Sequence, residues 1–204
     1  MKLFERFDKA FLINLPDRKD RLNNFRNEVE KYDLGNFEIV EAVRGAYDLN
    51  GISRGNVGLI KSNLKIFETL KADIETILIM EDDCIFTDEV KNIEEYFKHL
   101  PTDWEMLYMG GNHNIHAGIE PPTIINEKVC KLHSTFTTHF VAIRKSLFNE
   151  IHEFLKNPNS PIDVFYTSLQ KKNNVYSFYP VIAKQVNGYS DIEMRNVDYS
   201  WLIK

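Results

Sequence analysis

The stretch ILIMEDD at residues 77–83 decides the fold. Four large apolar residues in succession, bounded by polar ones, are typical of a strand buried on both faces of a largely parallel sheet. Three carboxylates, Glu81, Asp82 and Asp83, follow this strand at once. Ligands of open α/β sheets bind at the carboxyl ends of the strands. The stretch therefore predicts a central strand and a ligand site where that strand ends.

The three carboxylates are candidates for holding a divalent cation. Side chains alternate along an extended chain, so we expect Glu81 and Asp83 to share one face and Asp82 to point the other way. A same-face pair of hard oxygen ligands suits Mg²⁺ or Mn²⁺. The alternative is a solvated acidic loop, but the position directly after a buried strand favours a ligand role.

The composition describes an ordinary globular protein of 204 residues, with 43% hydrophobic and 27% charged residues. We expect residues 1–204 to form a single α/β domain. The net charge of −5 argues against a general nucleic-acid binder, because phosphate binding needs a basic surface. No stretch approaches the ~18 apolar residues of a membrane span, and segment 1–10 is too charged for a signal peptide. Cys84 and Cys130 lack paired spacing, which favours reduced thiols and a cytoplasmic enzyme or binding domain.

The first half of the chain alternates strands with amphipathic helices. Strands are predicted at 10–15, 37–43, 77–80 and 105–109, the last ended by the glycines at 110–111, and Asp88 is expected to cap the third helix. This order is typical of a parallel sheet with right-handed crossovers. The three helices carry apolar stripes at Leu22, Phe25, Val29 and Tyr32, then at Val57, Ile60, Leu64 and Phe67, then at Val90, Ile93, Phe97 and Leu100.

The second half is mixed. Strands are predicted at 129–134, 138–144, 175–178 and 181–186, and the tail from 190 lacks periodicity. One helix is predicted with Leu147, Phe148, Ile151 and Phe154 facing inward, and another from Ser160 to about Lys171. A long loop at 113–127 contains His113 and His116, which we interpret as solvated side chains rather than a metal pair. We therefore divide the chain into a nucleotide-binding half, about 1–111, and a second, acceptor half, about 112–204.

Two arginines lie at the start of the predicted first helix, where acidic residues are usually preferred. Cations at that end oppose the helix dipole. Arg18 and Arg21 are therefore candidates for contacting a bound anion such as a diphosphate. The alternative is a solvated charged face.

Several segments, in order along nearly the whole chain, resemble glycosyltransferase family 25, the lipooligosaccharide and collagen galactosyltransferase-like group. Their order and spacing carry the resemblance, since no single segment is specific. The segments are FLINLPDRKDRL at 11–22, GNVGLIKSNLKIFE at 55–68, ILIMEDDCIF at 77–86, DWEMLYMGG at 103–111, THFVAIRKSLFNEI at 138–151, PIDVFYTSL at 161–169 and SDI at 190–192.

The resemblance implies a GT-A fold and an inverting, metal-dependent transfer of a hexose, with galactose the first candidate, from a UDP-sugar to a glycan or glycolipid acceptor such as lipooligosaccharide. It also implies that the protein, which we expect in the cytoplasm, contacts the inner face of a membrane peripherally. By resemblance the EDD segment stands in for a D-x-D motif. Asp83 and Glu81 would bind Mn²⁺ or Mg²⁺, and Asp82 would contact the ribose or the donor sugar.

The resemblance also suggests further site residues. Asp163, in the P-I-D segment, would act as the base that accepts the proton of the acceptor hydroxyl. The alternative for Asp163 is a structural capping box with Ser160, three residues earlier. Donor-binding roles are implied for Asn14, Gln185 and Asp191, besides Arg18 and Arg21.

The chain departs from the family pattern at four positions. Asn56 replaces a glutamate, Leu59 a cysteine, Asn63 a histidine and Arg44 an acidic residue that could accept from the nucleoside. These changes bear on donor identity and on activity. They suggest an alternative function, that of a catalytically inactive sugar-nucleotide or glycan-binding domain of the same fold. A nucleotidyltransferase ranks third, because segment 16–21 contains no glycine. The donor sugar, the linkage, the acceptor and the oligomeric state stay open.

Overall fold

The structure is a computed structural model that describes residues 1–112 and 120–198, so His113 and His116 lie outside the described residues. The helices are α1 Lys19–Tyr32, α2 Arg54–Thr69, α3 Ile93–His99, α4 Phe148–Lys156 and α5 Ile162–Gln170. The strands are β1 Lys9–Asn14, β2 Glu38–Glu41, β3 Thr76–Glu81, β4 Cys84–Phe86, β5 Met106–Asn112, β6 Thr123–Ile124, β7 Val129–Lys131, β8 Phe136–Arg144, β9 Val175–Phe178, β10 Ala183–Gln185, β11 Gly188–Ser190 and β12 Arg195–Val197.

Eight strands form one central sheet in the order β2-β1-β3-β8-β5-β9-β7-β6. The pairings give β1, β2, β3, β5, β6 and β9 one direction and β7 and β8 the other. The predicted α/β fold with a mostly parallel central sheet is confirmed. Strand β8 lies antiparallel between β3 and β5. It therefore separates two strands that the sequence predicts as consecutive members of a parallel sheet.

Strand β3 is buried on both faces, as its apolar run predicts. Leu78 and Met80 pack into one core with the apolar residues of α1 and α3, whereas Ile77 and Ile79 face the core formed with α2, α4 and α5. This alternation follows from the two-residue repeat of a strand. The sheet is thus a rigid middle layer, and it fixes the position of the carboxylates at the end of β3.

Three local predictions are wrong. Asp88 does not cap a helix but begins a short 3-10 turn, and its carboxylate pairs with Lys91. Gly110 and Gly111 do not end β5, which runs on to Asn112 with a register shift, because β8 pairs beside it. The tail is not irregular throughout, since β11 and β12 form an antiparallel hairpin at 188–197.

Candidate active site

A pocket of about 870 Å³ opens at the carboxyl ends of the central strands. Its wall comes from the end of β1, the segment 42–45 after β2, the N-terminus of α2, the turn after β3, the start of β8, the start of α5 and the β11–β12 hairpin. Seven of the nine predicted site residues line it: Arg21, Glu81, Asp82, Asp83, Asp163, Gln185 and Asp191.

The three acidic residues after β3 each have a different neighbour. The strand ends at Glu81 and the chain turns at Asp82–Asp83, so strict alternation does not extend past Glu81. Glu81 accepts a hydrogen bond from Thr138 Oγ1 of β8 at 2.8 Å, and Asp83 accepts one from Gln185 Nε2 of β10 at 3.3 Å. Asp82 faces β1 and α1 instead.

Burial and mutual repulsion disfavour the ionised form of these carboxylates. Burial and then the charge of Asp83 raise the pKa of Glu81, while burial and then the charge of Asp82 raise the pKa of Asp83. The Oδ1 atom of Asp83 is buried and has no hydrogen-bond partner among the described residues. Buried polar atoms are almost always hydrogen-bonded, so this oxygen is suited to a ligand.

The donor set suits a cation that is only partly held by the protein. Within residues 1–112 and 120–198, no group of three or more His, Cys, Asp or Glu side chains is arranged to hold a metal ion. Mg²⁺ keeps waters and is commonly held by one or two carboxylates together with substrate phosphates. Glu81 and Asp83 fit that pattern.

Asn14 and Arg18 lie just behind the wall and hold residues that line it. Asn14 is buried, and its Nδ2 donates to Asp82 Oδ2 at 2.6 Å and to the Arg18 carbonyl at 3.2 Å. The Arg18 guanidinium pairs with Asp191 of the hairpin. The structure therefore brings both residues to the site as supports of Asp82 and Asp191.

Arg21 connects the acidic turn with the hairpin. Its Nη1 is 3.1 Å from Asp82 Oδ1, its Nη2 donates to the Tyr189 carbonyl, and Asp191 lies 3.7 Å away. Arg44, the departure after β2, reaches Asp191 at 3.4 Å and Asp17 at 2.7 Å. Arginine side chains from α1 and from the segment after β2 thus hold the hairpin at the pocket. Sequence reasoning missed the hairpin because its short strands lack an apolar alternation.

Asp163 lies in the first turn of α5 and faces the pocket. The alternative capping box with Ser160 is not formed: the N-cap is Pro161, which makes no side-chain capping bond. Burial raises the pKa of Asp163, against backbone N–H groups that favour the ionised form, of which that of Val164 donates to Asp163 Oδ1 at 2.9 Å. A half-buried carboxylate with a raised pKa at a pocket wall is suited to accept a proton.

The departures from the family pattern differ in their distance from the pocket. Arg44, Asn56 and Leu59 line it, and Asn56 Nδ2 donates to Ser53 Oγ at 3.0 Å. Asn63 is buried in α2 and donates to the Leu59 carbonyl at 2.9 Å. The asparagine at 63 therefore serves helix packing and does not line the pocket.

Comparisons with known proteins point to glycosyltransferases. The chain is 26% identical to procollagen galactosyltransferase 2 of Mus musculus and to that of Homo sapiens, in each case over 129 residues that cover 51% of this chain and 21% of the relative. It thus spans about a fifth of the length of these relatives. No protein-family model matches the chain. The resemblance to family 25 predicted from the motifs is confirmed by these relatives.

The fold is shared with a solved glycosyltransferase that is involved in glycosylation of the major capsid of PBCV-1. The TM-score is 0.55 at 12% identity, and the match covers 91% of this chain and 95% of that one. This likeness supports the GT-A type of fold. Among the described residues, no helix is both long and apolar enough to cross a membrane.

Proposed function

We propose that the protein is a metal-dependent, inverting glycosyltransferase that transfers a hexose, with galactose the first candidate, from a UDP-sugar to a hydroxyl of a glycan. The observation that carries this proposal is the acidic turn at the pocket floor, where Asp83 Oδ1 is buried without a partner among the described residues. The sequence similarity to galactosyltransferases supports the reaction class.

Glu81 and Asp83 would hold Mn²⁺ or Mg²⁺. When bound, the cation supplies positive charge for the diphosphate that leaves. Asp82 is fixed by Asn14 and Arg21 and lies beside the metal ligands, where it would contact the ribose or the donor sugar. Arg21 joins Asp82 and Asp191 and would contact the diphosphate, while Gln185 would orient Asp83.

Asp163 would act as the base. Its carboxylate accepts the proton of the acceptor hydroxyl while the acceptor oxygen bonds to the anomeric carbon of the sugar. The bond between that carbon and the diphosphate oxygen breaks at the same time, and UDP leaves with the bonding electrons. Attack from the face opposite UDP inverts the anomeric configuration. The burial that raises the pKa of Asp163 strengthens it as a base.

The two halves of the chain would contribute different residues to substrate binding and catalysis. Residues 1–111 supply the arginines and the acidic turn, so we propose that they bind most of the donor. Residues 112–204 supply Asp163 for the acceptor side, and also Gln185 and the hairpin with Asp191. A glycolipid acceptor such as lipooligosaccharide would require peripheral contact with a membrane surface from a cytoplasmic location.

Donor hydrolysis tests the proposal. UDP-galactose, UDP-glucose and UDP-N-acetylglucosamine are each incubated with the protein in Mn²⁺ and then in EDTA, and released UDP is measured. We expect release with one donor, its loss in EDTA, and its loss in Asp83→Asn. Asp73→Asn, the same change at an exposed loop position, is the matched control and should leave release unchanged. Metal-independent release, or full release by Asp83→Asn, would contradict the mechanism.

An inactive binding domain of the same fold is the second candidate, because Arg44 and Asn56 change the pocket wall itself. It predicts metal-dependent binding of UDP, measured by calorimetry, without release of UDP from any donor and without transfer to glycan acceptors. Absence of all nucleotide binding would exclude both candidates.

A further inference from the structure

The pairing of β8 with β5 is interrupted beside the pocket. Gly110 pairs with Phe140 and Asn112 with Phe136, so residues 137–139 of β8 lie opposite the single Gly111. Extra residues in one strand leave the hydrogen-bond ladder and re-aim their side chains, commonly next to active sites. The ladder therefore does not fix the backbone in this bulge.

Thr137 in this bulge has a backbone that a β-branched residue rarely adopts. Its φ is 70°, in the left-handed region, which costs about 1–2 kcal/mol for a residue with a Cβ. Thr137 and Asp163 line the same pocket, and the Thr137 N–H favours the ionised form of the Asp163 carboxyl, which lowers the pKa of that group. Contacts outside the ladder must keep Thr137 in this conformation.

Helix α5 supplies such a contact through Gln170. The Thr135 N–H donates to Gln170 Oε1 at 2.7 Å, and Gln170 Nε2 donates back to the Thr135 carbonyl at 2.7 Å. Nε2 also donates to Tyr108 Oη at 3.3 Å, and the side chain is 1% exposed. This reciprocal pair needs one donor and one acceptor side by side, which an amide offers and a carboxylate does not.

Asp163 and Gln170 lie at opposite ends of α5. They are seven residues apart on α5, which places them on the same helix face, two turns from each other. Gln170 binds the main chain at Thr135, and Asp163 lines the pocket together with Thr137. The reciprocal pair at Gln170 fixes the position of α5 against segment 135–137, in which Thr137 is strained.

We propose that Gln170 is a positioning residue for the reaction: it anchors α5 to the main chain at Thr135 and so holds the Asp163 carboxylate, at the other end of α5, toward the acceptor. This inference rests on the proposed function. Gln170 does not line the pocket, so its contribution is to orientation and not to ligand binding. Misorientation of a base lowers the rate of the chemical step while ground-state binding of the donor is retained.

The test replaces Gln170 by Met, which keeps the length and volume but removes both hydrogen-bonding groups. With the UDP-sugar that is hydrolysed and Mn²⁺, we expect kcat for UDP release to fall about 10- to 100-fold, while KM for the donor stays within about twofold of wild type. Asn173→Leu is the matched control, since its amide bonds to the Leu169 carbonyl at the end of α5 and not to segment 135–137. It should leave kcat unchanged.

A double variant separates positioning from general structural damage. If Gln170 acts through Asp163, Gln170→Met should slow Asp163→Asn no further, because the group it positions is already disabled. Independent effects that multiply would overturn the inference, as would a Gln170→Met variant that raises KM and leaves kcat intact. Should Gln170→Met fail to fold, Gln170→Glu, which keeps the acceptor and removes the donor, replaces it in the same cycle.

Failure of this inference can be told from failure of the proposed function. Full hydrolysis by Asp163→Asn would remove the base role itself and the inference with it. A slow Asp163→Asn variant combined with a fully active Gln170→Met variant would overturn only the positioning role.

Discussion

The metal-free protein should become more stable when Glu81 is replaced by Gln. The amide oxygen can still accept from Thr138 Oγ1, so the change removes the buried charge and keeps the bond. Burial and the neighbouring carboxylates raise the pKa of Glu81 from 4.5 to about 8 in the folded protein. Between these values the folded state binds more protons than the unfolded state. The free energy of unfolding of the wild type therefore falls as the pH rises through this window.

The size of the effect follows from proton linkage. One proton bound only in the folded state gives a slope of about 1.4 kcal/mol per pH unit. The free energy of unfolding of Glu81→Gln should thus exceed that of wild type only slightly at pH 5, and the difference should grow toward pH 8 to an upper limit of about 4 kcal/mol. We expect a smaller gain, because Asp83 shares the same surroundings and relaxes when its neighbour loses its charge.

Urea unfolding in EDTA at pH 5, 6, 7 and 8 measures this gain from the midpoint and slope of each transition. Glu30→Gln, the same change at an exposed site on α1, should show no such pH dependence. A stability gain of Glu81→Gln that does not change with pH, or a loss of stability at pH 8, would refute the argument that the charge of Glu81 destabilises the folded, metal-free protein.

Four further changes test other parts of the site. Asp163→Asn should lower kcat about 10²- to 10⁴-fold with donor KM retained, and a kcat near wild type would rule out the base role. Arg21→Lys should raise donor KM several-fold in steady-state assays, because a lysine cannot contact Asp82 and the Tyr189 carbonyl together; Arg26→Lys on the exposed face of α1 is the control. Asn14→Ala should cost about 1–3 kcal/mol in urea unfolding, since Asp82 loses a buried partner, and no loss would show that water replaces the amide. Gly55→Ala should raise donor KM with a small change in Tm, because its Cβ would lie 2.3 Å from the Ile192 carbonyl and push the hairpin outward; unchanged KM would mean that the hairpin does not shape the donor site.

Much of the fold could be predicted because its signals are local. The apolar run of β3 and the helical stripes of α1 and α2 depend on residues close in sequence, and burial in the structure follows them. The insertion of β8 between β3 and β5 could not be predicted in this way. A strand with two buried faces is compatible with several neighbours, and the choice among them is made by contacts between distant parts of the chain.

The site was predictable to the extent that residue type and strand position decide it. Carboxylates after a buried strand reach the pocket whatever their neighbours are, and Glu81, Asp82 and Asp83 do so. Their separate partners were not predictable, because the turn at Asp82–Asp83 breaks the alternation. The left-handed backbone of Thr137 and the reciprocal pair of Gln170 leave no signal in the sequence, since the first lies in the bulge of β8 and the second joins residues that are distant along the chain.

The charge of the pocket wall explains why a cation and a sugar nucleotide would bind together. Carboxylates outnumber arginines along the described wall, so a bare diphosphate would meet net repulsion there. Burial and the charge of Asp83 raise the pKa of Glu81 to about 8, so a proton on Glu81 removes part of this repulsion, and a divalent cation held by Glu81 and Asp83 would neutralise both carboxylates. Donor affinity should therefore depend on the cation even where arginines contact the phosphates. The wall carries Glu81, Asp82, Asp83, Asp163, Asp191, Glu193 and Asp198 against Arg21, Arg44, Arg54 and Arg195.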